Sequence, residues 1–78
     1  MTRYFFDTRD DELFIEDDEG VELPDLAAAR AVAAASLAEL AWDVLPCSVR
    51  RELAVEVRVE RWPILKVLLH LEAIWLAI

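Results

Sequence analysis

From Pro24 to Pro46 the chain carries no glycine and no proline between the two ends, and alanine is the commonest residue of the stretch. Alanine, leucine, arginine and glutamate are strong helix formers, because they give up little side-chain freedom and offer the backbone no competing hydrogen bond. The composition predicts one long helix over 25–45. Pro24 suits a first turn, where its missing N–H would have had no partner. Asp25 stands where an N-cap or a first-turn anion is favoured. Pro46 disfavours helical geometry at Leu45 and ends the run.

At about 100° per residue, Leu26, Ala29, Ala33, Leu37, Leu40 and Val44 share one stripe, flanked by Arg30 and Ala41. That stripe is the predicted core face. The far side carries Ala28, Ala31, Ala35, Ala38 and Trp42, with Val32 and Glu39 alongside, and lacks the Glu/Lys lacing of a solvated helix. Alanine as an inexpensive exposed filler accounts for this side, and so does a smooth docking surface ending in Trp42.

A chain of 78 residues is expected to form a single domain, 1–78. At this size only about 60% of the unfolded chain's surface is buried on folding, so a lone copy is marginal. Yet 58% of the residues are hydrophobic, against the usual figure of about 45–50%. The surplus needs a sink, and self-association is the simplest. One cysteine, Cys47, permits no internal disulfide and suits a reducing compartment. The start, Met1-Thr2-Arg3-Tyr4, has no signal-peptide pattern. The most apolar stretch, Pro63 to Ile78, is interrupted by Lys66, His70 and Glu72 and falls short of the ~20 residues a membrane helix needs. The expectation is a cytoplasmic protein with no membrane contact.

Around the helix the pattern turns to strands. Arg3 to Asp7 is aromatic and β-prone, Thr8 to Asp11 is turn-like, and Glu12 to Ile15 alternates, so a β-hairpin is predicted over 3–16. Asp17-Asp18-Glu19-Gly20 breaks the chain, its lone glycine suited to a positive φ. Val21-Glu22-Leu23 leads into the helix, Leu23 placed to staple its first turn. Leu53, Val55, Val57 and Val59 alternate with Glu52, Glu56, Arg58 and Glu60, which predicts a strand over 52–60 with one buried and one wet face. A last strand is predicted over 64–72, because a strand puts Lys66, His70 and Glu72 on one side and a helix does not. Residues 72–78 stay open between strand, helix and irregular chain. Matching charges across strands sets Glu60 opposite Lys66 and Glu56 opposite His70, with a loop near 61–65.

Three segments together, Arg3-Tyr4-Phe5-Phe6-Asp7, the run Asp18-Glu19-Gly20-Val21-Glu22-Leu23-Pro24-Asp25-Leu26 with Ala28-Ala29-Arg30, and Glu52-Leu53-Ala54-Val55-Glu56-Val57-Arg58, resemble a family of short acidic alphaproteobacterial proteins known only as a domain of unknown function. The resemblance covers nearly the whole chain. It implies a strand-strand-helix-strand-strand layout, no particular activity, and a glycine in the last hairpin turn, where this chain has Trp62-Pro63.

Charge is unevenly placed. Up to Asp25 the chain holds ten acids and two bases, whereas beyond it six acids balance six bases, so the net charge of −8 belongs to the N-terminal third. Such a surface repels phosphates and predicts no nucleic-acid binding. Attraction of a basic protein partner is one use for it, and keeping an oily protein soluble is another. With Gly20 in the glycine slot of a calcium loop, the first ligand position falls on Ile15, so Asp17, Asp18, Glu19 and Glu22 do not spell that motif. His70 has no second metal ligand and no triad partner at recognisable spacing. No catalytic, metal or cofactor residue is predicted, and no cofactor.

The predicted fold is therefore α+β: a four-stranded antiparallel sheet in β-β-α-β-β order with one long helix packed on one face. Its open face and the helix back leave apolar side chains uncovered. A homodimer is expected, acting as a non-enzymatic protein-interaction module, with Phe14, Trp42, Leu68, Ile74, Asp17, Asp18 and Glu19 as partner-binding residues. The alternative is a small enzyme or metal-dependent catalyst with its site formed across the dimer interface.

Overall fold

The structure, a computed structural model, describes residues 1–77. Strand β1 (Thr2–Asp10) is followed by β2 (Leu13–Ile15), β3 (Val21–Leu23), helix α1 (Leu26–Val44), a 3₁₀ turn (Leu45–Cys47), β4 (Arg50–Val59) and β5 (Trp62–Glu72). The fold is α+β with one helix on an open antiparallel sheet, but the sheet has five strands, not four. Its order is β2-β1-β4-β5, with β3 also paired to β1. The additional strand is Val21–Leu23, which the sequence presents only as a lead-in to the helix. Three residues are too few to show a period, and pairing with Thr2–Tyr4 is what makes them a strand.

β2 and β3 lie in tandem on the same edge of β1. Ile15 opposes Thr8 and Val21 opposes Tyr4, so three residues of β1, Phe5 to Asp7, face a five-residue connection, Glu16 to Gly20. The excess bulges outward, and Gly20 sits in it with φ +73°. A β-carbon there would lie 2.9 Å from Arg3 Cγ and 3.0 Å from Phe5 Cε1, so glycine is required for space as well as for conformation.

Asp25 is the N-cap of α1, its carboxylate accepting the Ala28 N–H at 2.9 Å. Ala29, Ala33, Leu37 and Ala41 are the buried helix positions. They pack on Tyr4, Leu53, Val55 and Val57, with Leu23, Leu40, Val44, Leu65, Val67 and Leu69 around them. Three of the four helix positions are alanine, so the helix backbone approaches the sheet closely, and the alanine content is a packing requirement as much as a propensity. Leu26, placed on the core stripe by its spacing, is exposed at the first turn.

The β4–β5 register differs from the expectation. Glu56 opposes Lys66, Glu52 opposes His70 and Arg50 opposes Glu72, with Lys66–Glu56 and Arg50–Glu72 at 3.8 Å and His70–Glu52 at 3.6 Å. Charges match across the strands, but four positions tighter than predicted, because Trp62 and Pro63 belong to β5 and the turn is only Glu60-Arg61. The ladder shifts between Val57 and Arg58, which accommodates Pro63 opposite Arg58.

Both hairpin turns are two residues long and begin on a non-glycine residue at positive φ, Asp11 at 51° and Glu60 at 55°. Aspartate tolerates this region, while glutamate pays the β-carbon cost. Glu60 is thus the position for the turn glycine that the resemblance implies. Glu60→Gly is expected to raise stability by about 0.5–1 kcal/mol, read as a higher urea midpoint with an unchanged slope. A lower midpoint would show that Glu60 is not held in the left-handed region.

Candidate interaction surface

Two aspartate–arginine pairs tie β1 to β4, one on each face of the sheet. On the helix side Arg51 forks onto Asp10, Nε to Oδ1 at 2.7 Å and Nη2 to Oδ2 at 2.8 Å. That donation holds the Asp10 carboxyl below the usual carboxylate range and Arg51 above its own. On the open side Arg58 Nε donates to Asp7 Oδ2 at 2.8 Å. Arg58 also donates to the carbonyls of Asp17 and Glu60 and lies 4.5 Å from the Phe5 ring centre. Asp7 is the one buried charged residue among those described, at 5% exposure.

The acidic connection is organised by Asp17. Its Oδ2 accepts the Phe6 N–H at 3.0 Å, and its Oδ1 accepts those of Glu19 and Gly20 at 3.0 and 3.2 Å. Its own N–H donates to Asp7 Oδ1 at 2.9 Å. The carboxylate thus stands in for the strand partner that Phe6 loses where β2 gives way to β3. Burial pushes the Asp17 carboxyl up, but the three N–H donors, helped by Arg58, outweigh it, and the net shift is downward. Of the three acids named from the sequence, Asp17 is committed to the fold, and Asp18 and Glu19 are exposed. Glu16 and Glu22 approach Arg58 and Arg3 at 3.5 Å. Part of the N-terminal acidity is therefore balanced in space by arginines, two of them from β4.

Phe14, Trp42, Leu68 and Ile74 remain in water, at 43, 83, 58 and 69% exposure. They do not form one patch. Phe14 opposes Arg9 in the β1–β2 ladder, and Leu68 opposes Ala54 in the β4–β5 ladder, both on the open face. Trp42 is on the solvent side of α1, in the other layer. Arg9 stacks over Phe14 with 4.7 Å to the ring centre. Between them, Arg9, Asp11, Glu52, Ala54, Lys66 and Leu68 line a depression of about 150 Å³, below the ~300 Å³ at which ligand pockets begin. Among the described residues no three His, Cys, Asp or Glu side chains converge to hold a metal ion. Nor, among the described residues, is any helix long and apolar enough to cross a membrane.

Part of the exposed apolar surface lies beyond the residues predicted from the sequence. Trp75 and Leu76 follow Ile74 in an extended tail and are 83 and 95% exposed, and Trp62 at the start of β5 is 72% exposed. Ala73 still donates to the Val49 carbonyl at 2.7 Å, so the β4–β5 ladder runs one residue past Glu72. The tail's signal was the uninterrupted apolar run after Glu72.

A family model described as a domain of unknown function, DUF6894, matches residues 3–67. The chain belongs to the DUF6894 family. No curated protein and no solved structure matches it. Within the DUF6894 region lie both aspartate–arginine pairs, the Asp17 bulge, Gly20 and the Asp25 cap, so the segments that carried the resemblance are those that build the β1 edge and tie it to β4. The Ile74–Leu76 tail lies outside the matched residues.

Proposed function

We propose that this protein is a non-enzymatic interaction module that works as a homodimer and offers an acidic hairpin to a basic protein partner. The observation that carries the reading is the apolar surface left in water along β5 and its tail: Trp62, Leu68, Ile74, Trp75 and Leu76. A domain this small gains little from its own core, and an exposed apolar strip beside an open strand edge is characteristic of an association surface. The exposed acids Glu12, Asp18 and Glu19 flank the hairpin turn and the bulge, where they are free to steer a basic protein. The acids best placed for chemistry, Asp7, Asp10 and Asp17, are each engaged by arginine or by backbone N–H groups, and nothing in their arrangement favours the catalytic alternative.

Sedimentation equilibrium at micromolar concentration tests the dimer. Twice the 8.9 kDa chain mass is expected, and a stable monomer would overturn it. A basic partner retained from lysate at low salt and released at high salt is the expected result for the hairpin. Unchanged retention by a variant with Asp18 and Glu19 both replaced by lysine would remove the hairpin from the reading.

A further inference from the structure

We propose that two copies join through the outer edges of their β5 strands, antiparallel about a twofold axis passing beside Leu69, making one continuous sheet. This rests on the homodimer reading above and specifies its interface.

β5 ends the order β2-β1-β4-β5 and is eleven residues long, and no described strand pairs with its outer edge. The opposite edge of the sheet is two three-residue strands interrupted by the Asp17 bulge, a poor template for pairing. Among the described strands only one offers a good edge, so its pairing closes into a dimer instead of propagating.

Hydrogen-bond parity limits the register. The Ala73 N–H bonds the Val49 carbonyl, in step with Leu71 opposite Arg51 and Leu69 opposite Leu53. In an antiparallel ladder the hydrogen-bonded positions recur every second residue. The odd-numbered residues from Leu65 to Ala73 therefore turn their backbone groups toward β4, while Lys66, Leu68, His70 and Glu72 turn theirs outward. Outward groups must meet outward groups, so even positions oppose even positions and the axis falls beside a residue, not between two.

Charge then chooses among the centres. An axis at Lys66 sets two lysines together. One at Leu68 sets Lys66 against His70 and Ile64 against Glu72, and one at His70 sets Leu68 against Glu72. An axis at Leu71 pairs His70 with Glu72 but shortens the overlap. With the axis at Leu69, Lys66 of each copy faces Glu72 of the other, Leu68 faces His70 and Ile64 faces Ile74. On the second face Val67 meets Leu71 and Leu65 meets Ala73. The tail is covered as well, since Trp75 and Leu76 reach Pro63 and Trp62 of the second copy. The Lys66 and Glu72 side chains are 52 and 43% exposed, each 3.8 Å from an opposite charge on β4, Glu56 and Arg50, and these exposed pairs are weak enough for either group to turn to a second partner.

The test is sedimentation equilibrium of wild type, Lys66→Glu, Glu72→Lys and the double reversal, each checked by circular dichroism. Each single reversal sets two like-charged pairs opposite one another and is expected to weaken the dimer roughly tenfold. The double reversal restores it. A nitroxide at Ile64→Cys in a Cys47→Ser background reports the register without touching either charge, with about 34 Å expected between the two labelled positions at 3.4 Å per residue. A dimer indifferent to the single reversals, a double reversal that fails to restore it, or a label distance near ~27 or ~41 Å overturns the β5 interface while leaving a homodimer standing. A wild-type monomer at micromolar concentration overturns both.

Discussion

Replacing Arg58 by methionine is expected to cost about 3–5 kcal/mol of folding free energy, the range for removing one partner of a buried ion pair. Methionine keeps an unbranched apolar side chain and removes the guanidinium, with its hydrogen bonds and its contact over the Phe5 ring. Asp7, at 5% exposure, would be left with a single remaining donor, the Asp17 N–H at 2.9 Å. The Asp17 and Glu60 carbonyls would lose their donor at the same stroke. A chain of this size has a total stability of roughly 4–12 kcal/mol, so the variant stands near its unfolding threshold. Adding Asp7→Asn to the methionine variant removes the stranded charge and is expected to recover more than about 1 kcal/mol, a coupling that a double-mutant cycle reads directly. Arg61→Met, on the neighbouring turn, is the control and is expected to stay within about 0.5 kcal/mol of wild type. Equal urea midpoints for the Arg58 and Arg61 variants would mean that the guanidinium does not hold Asp7 in place.

The helix and the two-faced strand β4 were legible because each rests on local information. Two prolines bracket α1, its alanine stripe identifies the face that meets the sheet, and the alternation from Leu53 to Val59 needs no knowledge of a partner. The pieces that were not legible depend on distant residues. β3 is a strand only because Thr2–Tyr4 lies beside it. Asp17 looks in sequence like one more hydrated turn acid, and its role appears only once β2 and β3 share an edge. The charge imbalance between the two parts of the chain is partly cancelled by pairs whose members are 41 and 51 positions apart.

The β4–β5 register shows how far charge matching carries. Exposed cross-strand pairs are each worth only about 0.2–1 kcal/mol, and several registers of these two strands bring opposite charges together. A two-residue turn decided among them, and a glutamate at positive φ gives no signal in the sequence that such a turn is coming. For the candidate surface the outcome is parallel. The surplus of apolar residues foretold that Phe14, Trp42, Leu68 and Ile74 would stay exposed, and they do. The two uncovered surfaces, open sheet face and helix back, were legible as well, whereas the extension of the β5 strip by Trp75 and Leu76 required the topology.

Asp17→Ala is expected to lower stability by about 2–3 kcal/mol at neutral pH, the sum of partly solvent-compensated losses at three backbone donors. The penalty depends on pH in a way that a packing defect would not. The Asp17 carboxyl is held below its ordinary value in the folded chain, while the unfolded chain titrates near the usual aspartate value of about 3.9. Its contribution is therefore fully present above that value and disappears as pH falls through the folded-state pKa. Wild type and Asp17→Ala should converge on acidification, their urea midpoints far apart at neutral pH and closest in the most acidic conditions. Asp10, depressed by Arg51, contributes to the acid sensitivity of both proteins and does not alter the convergence. Asp17→Asn keeps an oxygen for two of the three donors and loses the charge, so its midpoint should lie between the two and follow pH as the alanine variant does. A gap between wild type and Asp17→Ala that stays constant from neutral to acid would mean that the carboxylate's shape, and not its charge, closes the bulge.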